Sequence, residues 1–171
     1  FSSGSLWGPW VDVCAPGTQL LSTVKNNFYG YATGTSMSSP LVAGLAALVK
    51  QQHPDWTPDQ VMSQIRYTAD DILSVGQNRR YADAGGIGSG RINAYRALSE
   101  APGSAMQIVS LLASDALLGN NNARIEPGEG VEIEFSLTNV WGDLPGVSVS
   151  LSSNDYAIQL ANSSVTIGDF A

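Results

Sequence analysis

The stretch YATGTSMSSPLVAG, residues 31–44, sets a glycine turn and a cluster of hydroxyls directly before a long apolar run. From Ser36 to about Gln52 the apolar positions are Met37, Leu41, Val42, Leu45, Leu48 and Val49, with small Ala43, Gly44, Ala46 and Ala47 filling the other sides. Apolar nearly all round, the segment predicts a buried helix. Pro40 fits its first turn, where an amide would have no intrahelical acceptor. First-turn amides are unpaired and the macrodipole adds partial positive charge, so an anion forming there is stabilised. A serine at that point directs a hydroxyl and its own N–H to one place, which is what acyl transfer requires, and Ser36 is the candidate nucleophile. Helix rules alone favour a plainer role for Ser36, that of the N-cap.

Working outward, residues 10–14 (WVDVC) read as a short strand, APG as a turn, and residues 19–33 as a hairpin centred on KNN. On the other side, HPDWTPDQVMSQI begins a second helix with Thr57 as N-cap, Pro58 at the first helical position and Gln60 completing a capping box. Its apolar stripe is Val61, Met62 and Ile65. A glycine-rich loop, AGGIGSG, leads to a short helix, NAYRALS, capped by Asn93. After SEAPGS the period changes to two: VEIEFSLTN and VSVSLSS alternate apolar with polar residues, as half-buried antiparallel strands do. Further strands are expected at about 156–160 and 164–168, and a domain boundary near residues 101–105.

The chain has 171 residues, 43% of them apolar, enough for one domain or for parts of two. No apolar run approaches the roughly 18 residues of a membrane span. A net charge of −7 with scattered Lys and Arg argues against a nucleic-acid partner, because displacing counterions needs clustered cations. Cys14 is the lone cysteine, expected to be a buried, inert thiol, which leaves no cysteine-based metal site. Phe1 opens the chain without an initiator methionine or a signal-peptide pattern, so sequence upstream is expected.

The segment GTSMSSPLVAG resembles the nucleophile segment of the subtilisin-like serine proteases, and VDVCAPG resembles the segment that precedes it in that family. HPDWTPDQV, YTADDI and GSGRINAYRAL are similar to the last helices and connecting loop of the same catalytic domain. The resemblance implies an α/β fold: the C-terminal part of a three-layer, mostly parallel subtilisin-like domain over residues 1–102. It implies Ser36 as nucleophile and backbone oxyanion donor, Gly34 and Thr35 as shapers of the turn, Thr33 beside the leaving-group side, and Met37 at an oxidation-sensitive position. Leu41 departs from the family, which often has histidine there. The implied activity is that of a secreted endopeptidase acting on protein or peptide substrates.

A serine nucleophile needs a base and an orienting carboxylate. The chain has one histidine, His53, just past the far end of the apolar helix and expected in a surface loop. By resemblance the triad Asp and His, and the side-chain oxyanion asparagine, precede Phe1, so the chain alone is expected to be catalytically incomplete. Asp12 is expected to be structural, and Asp70 with Asp71 to form a turn at a helix end.

Residues 105–171 resemble the immunoglobulin-like modules appended to secreted bacterial enzymes, here a truncated antiparallel β-sandwich. Asp115, Asn120, Asn122, Glu126 and Glu129 supply oxygens that could hold a structural Ca²⁺, although their spacing fits no defined calcium loop and a solvated turn is the simpler reading. No other cofactor is expected, and the glycosylation pattern at Asn162 is given no role. The alternative to a protease fragment is a non-catalytic, protease-like scaffold presenting the β-sandwich for binding or adhesion. An α/β-hydrolase esterase ranks last, because Ser38 stands where Gly-x-Ser-x-Gly needs glycine.

Overall fold

The chain divides into two units, Phe1–Gly103 and Ser104–Ala171, within which a computed structural model describes residues 5–82, 86–103, 105–153 and 155–170. The opening residues of the chain, Ala84 and Gly85 of the glycine-rich loop, and Ser104 in the expected boundary lie outside the described residues.

In the first unit, β1 (Leu20–Val24) and β2 (Phe28–Ala32) pair antiparallel, with Val24 opposite Phe28 closing the turn. Asn26 and Asn27 take φ of 64° and 60°, a left-handed conformation that asparagine tolerates better than most residues, and KNN is therefore a turn. Among the described residues four helices follow: α1 (Thr35–Gln52), α2 (Pro58–Tyr67), α3 (Arg79–Ala82) and α4 (Ala94–Ser99). At the start of α2 the capping box forms, the Gln60 N–H donating to Thr57 Oγ1 at 3.3 Å and the Thr57 N–H to Gln60 Oε1 at 2.9 Å. Asn93 caps α4 by accepting the Arg96 N–H at 3.0 Å. The start of α1 corrects the expected geometry: with Thr35 as first residue, Pro40 falls in the second turn, not the first.

Leu45 and Val49 of α1 meet Val61 and Ile65 of α2 and Ala97 of α4, with Val13, Trp56 and Ile92 packed around them. Each large aliphatic buried this way contributes about 1.5–3 kcal/mol. Gln64 lies among them, its Nε2 donating to the carbonyls of Ala97 (3.3 Å) and Glu100 (2.9 Å), which ties α2 to the end of α4. All-round burial of α1 does not occur. Among the described residues only α2 and α4 pack substantially on it, which buries the Leu45 and Val49 side and leaves Leu41 40% and Leu48 49% exposed. Met62 also turns outward, so the buried stripe of α2 is Val61 and Ile65.

Residues 10–14 do not form the expected strand. Only Cys14 pairs, in a parallel bridge with Arg91, through Cys14 N–H to the Gly90 carbonyl (2.7 Å) and Ile92 N–H to the Cys14 carbonyl (2.9 Å). Arg91 also bridges Asp70. Parallel pairing among the described residues is confined to that bridge, and the named strands form two-stranded antiparallel ribbons.

The second unit holds two such ribbons, β3 (Met106–Ser114) with β4 (Glu132–Asn139), and β5 (Leu144–Ser150) with β6 (Ser164–Phe170). Ile108 faces Leu137, Leu111 faces Phe135 and Ala113 faces Ile133, with the register shifting at Val109. That bulge lets Ile108 and Leu111, three apart, share one apolar face, where strict alternation would oppose them. Residues 156–160 form no strand: the Ile158 N–H returns to the Asp155 carbonyl at 3.1 Å and makes a turn.

Candidate active site

The turn before α1 is built on Gly34. Its φ of 154° and ψ of 164° are a backbone conformation that favours glycine, and Gly34 is the N-cap residue, with no side-chain cap hydrogen bond. Ser36 is accordingly the second residue of α1 and not its cap, which removes the plainer role that helix rules assign it. Ser36 is exposed. Among the described residues its hydroxyl makes no hydrogen bond. The first-turn amides are free of any capping side chain, so partial positive charge is concentrated beside that hydroxyl.

Three contacts hold the turn. The Gly34 N–H donates to the Gly17 carbonyl at 2.7 Å, and the Gln19 N–H donates to Thr33 Oγ1 at 2.9 Å. The Ser38 hydroxyl donates to the Ala15 carbonyl at 3.2 Å. Thr33, Gly34, Thr35, Ser36 and Met37 are thus brought together as one element, with Met37 half-buried and Thr33 and Thr35 exposed. Sequence reasoning missed Gly17, Ala15 and Ser38 as parts of it. The signal was present in APG, read only as a turn, and in the hydroxyl at Ser38, two residues after Ser36.

No described residue supplies Ser36 with a base. His53 follows the last residue of α1, seventeen positions from Ser36, or roughly 25 Å at helical rise. Its ring stacks on Trp56 with centroids 3.7 Å apart and planes 3° from parallel. Three of the candidate carboxylates, those of Asp12, Asp70 and Asp71, are engaged elsewhere. Asp12 pairs with Arg66 at 3.5 Å, and Asp71 Oδ1 accepts the Leu73 N–H at 2.7 Å. Asp70 accepts from Asn93 Nδ2 and Arg91 Nη2, both at 2.9 Å, and those hydrogen bonds, Asn93 first, hold its carboxyl below the usual range. Cys14 is half-buried with its thiol directed to the Ile87 carbonyl at 3.4 Å, and burial pushes the thiol pKa up, away from reactivity. A recess of about 300 Å³ lined by Pro9, Val11, Arg66, Leu73, Ile87, Gly88 and Ser89 shares no residue with the Ser36 turn.

In the second unit the oxygens considered for Ca²⁺ are bonded within their own loop. Asp115 Oδ2 accepts the Asn122 N–H at 2.9 Å, Glu126 Oε2 accepts Asn120 Nδ2 and Asn122 Nδ2 at 3.1 and 3.3 Å, and Glu129 accepts the Asn120 and Glu126 N–H groups at 3.2 Å. No group of three or more His, Cys, Asp or Glu residues among the described residues is placed to hold a metal ion. Nor is any helix of the described residues long and apolar enough to cross a membrane.

Residues 1–88 match the model of the subtilase family of peptidases, just over half of the chain, and the chain belongs to that family. It is 43% identical over 98 residues to the thermophilic serine proteinase of Bacillus sp. (strain AK1), covering 57% of this chain and 22% of that protein. Against alkaline elastase YaB of Bacillus sp. (strain YaB) identity is 40% over 93 residues, 54% of this chain and 22% of that one. Among solved structures, MycP1 from Mycobacterium smegmatis superposes with a TM-score of 0.49 at 38% identity, covering 59% of this chain and 27% of that chain. The chain therefore spans about a fifth to a quarter of the length of these relatives.

Proposed function

We propose that this chain is the nucleophile-bearing part of a subtilase endopeptidase that cleaves peptide bonds through an acyl-enzyme on Ser36. One observation carries the reading: Ser36 is exposed at the second position of a helix whose cap is a glycine, so no capping side chain occupies its hydroxyl or its N–H. Attack by Ser36 Oγ on a peptide carbonyl would place the developing oxyanion beside the Ser36 N–H, where the helix start stabilises it. The proton passes to a base and then to the departing amine, and water later releases the acyl group. Thr33 lies on the leaving-group side, Gly34 and Thr35 fix the turn, and Met37 flanks the nucleophile.

The base and its carboxylate belong, in this reading, to family sequence that this chain does not contain, since His53 is roughly 25 Å along the helix from Ser36. Residues 1–102 are then the C-terminal portion of the catalytic domain. Residues 105–171 are part of an immunoglobulin-like β-sandwich, a reading supported by the two antiparallel ribbons and the apolar face shared by Ile108, Leu111 and Phe135. The substrates are proteins or peptides met outside the cell.

A fluorophosphonate probe on the full-length gene product tests the proposal. Labelling of the wild type and none of Ser36→Ala supports it. A folded wild type that takes no label supports the rival reading, a protease-like scaffold without catalysis, which the lack of a base near Ser36 among the described residues favours.

A further inference from the structure

One short segment brackets Ser36 from both sides. Two residues before it, the Gly34 N–H reaches the Gly17 carbonyl at 2.7 Å; two residues after it, the Ser38 hydroxyl reaches the Ala15 carbonyl at 3.2 Å. Both acceptors lie in the strap Ala15–Gly17. A serine inside a helix commonly turns its hydroxyl back to the carbonyl four residues earlier, which for Ser38 is that of Gly34. Ser38 reaches across to a segment 23 residues away instead. The Gly34 carbonyl also receives the Met37 N–H at 3.0 Å.

Gly17 makes that closeness feasible. A Cβ there would stand 2.5 Å from Ser38 Oγ and 3.0 Å from the Gly34 carbonyl oxygen, touching both arms of the bracket at once. Besides the Gln19–Thr33 bond, which lies before Gly34, these two tethers on either side of Ser36 join the first turn of α1 to one strap and restrict its pivoting.

We infer that Ser38 is a positioning residue for Ser36: with Gly17 it locks the start of α1 against the Ala15–Gly17 strap, so that the Ser36 hydroxyl and N–H keep one fixed relation to a peptide carbonyl. This rests on the reading of Ser36 as nucleophile. Displacement of a reacting atom by about 1 Å costs about 100-fold in rate. Ser38 is half-buried and outside the core cluster of Leu45, Val49, Val61, Ile65 and Ala97, so removing its hydroxyl acts on placement more than on folding.

The test compares Ser38→Ala with the wild type in the full-length protease, reading the rate of fluorophosphonate labelling at Ser36, kcat and KM on a peptide substrate, and melting temperature. Ser38→Ala is expected to lower kcat and the labelling rate about threefold to tenfold with KM unchanged, while the melting temperature falls by no more than the few degrees that loss of one neutral hydrogen bond costs. Gly17→Ala is expected to lose more. The double variant Gly17→Ala/Ser38→Ala should react faster than Gly17→Ala alone, because removing Oγ opens the space that the new Cβ needs. Wild-type rates in Ser38→Ala, or a loss of rate that disappears when equal amounts of folded protein are compared, overturn the positioning role and leave Ser36 as nucleophile. A folded wild type that takes no label overturns the nucleophile reading and the positioning role with it. Should Gly17→Ala fail to fold, Ser38→Ala alone decides.

Discussion

Pro40 stands four residues after Ser36 inside α1, so the carbonyl of Ser36 lacks the N–H that a regular helix would offer it. The proline ring also crowds the carbonyl four residues earlier, which here is the carbonyl of the proposed nucleophile itself. Ser36 is thus held by the Gly34 turn on one side and by Pro40 on the other. Pro40→Ala supplies the missing donor and removes the ring, letting Ser36 relax toward regular helical geometry. The expected result is a labelling rate at Ser36 lower by about tenfold or more, with α1 intact by circular dichroism. A rate equal to the wild type's would show that Pro40 has no influence on the placement of Ser36.

Thr57 and Gln60 satisfy each other's amides at the start of α2, and the helix has only ten residues over which to recover a lost cap. Thr57→Ala is expected to destabilise the first unit by about 1 kcal/mol. Hydrogen exchange locates the effect: the Gln60 amide should lose protection while amides at the C-terminal end of α1 keep theirs.

Gln64 is fully buried and donates to two carbonyls, while its Oε1 is the buried side-chain acceptor without a partner among the described residues. Gln64→Leu keeps much of the volume and removes that orphan oxygen, but leaves the Ala97 and Glu100 carbonyls without their donor. Loss of two partners outweighs relief of one, so destabilisation of about 1–3 kcal/mol is expected by denaturant titration. A more stable variant would mean that packing, and not the Nε2 bonds, joins α2 to α4.

Features that depend on a few neighbouring residues were legible in the sequence. The caps at Thr57 and Asn93 involve an amide three residues on, and KNN needs only asparagine's tolerance of positive φ. What depends on distant partners was not. Burial of α1 is set by which elements lie against it, so an apolar sequence at Leu41 and Leu48 could not reveal their exposure. The strand expected at 10–14 had the right composition but pairs only at Cys14. In β3 the bulge at Val109 breaks the period of two, hiding a strand in which Ile108 and Leu111 share a face. At the candidate site, whether Ser36 is a cap hung on one residue: the conformation of Gly34 moved the cap two positions upstream. The Ser38 bond to Ala15 spans 23 residues and leaves no mark in the local pattern.

Asp70 and Glu100 give the first unit a dependence on acid. Hydrogen bonds from Asn93 and Arg91 lower the pKa of Asp70, and that from Arg96 lowers the pKa of Glu100. A carboxyl whose folded pKa lies below its unfolded value stabilises the fold at pH above the unfolded value. That stability is lost as pH falls through the folded one. With unfolded carboxyls near 3.9 and 4.3, the contribution is intact at neutral pH and begins to be lost as the pH falls below about 4. The network joins the 70s loop to Arg91 and to α4, since Arg96 also donates to the Ala69 carbonyl at 3.1 Å. Asp70→Asn should therefore melt below the wild type at neutral pH, and the gap should narrow as the pH is lowered below about 4, because the wild type loses what the variant already lacks. Melting temperatures of both proteins across that range check this. Parallel curves, with a constant gap, would mean that Asp70 acts through neutral hydrogen bonding alone, and identical curves that the Asn93 and Arg91 contacts hold nothing together.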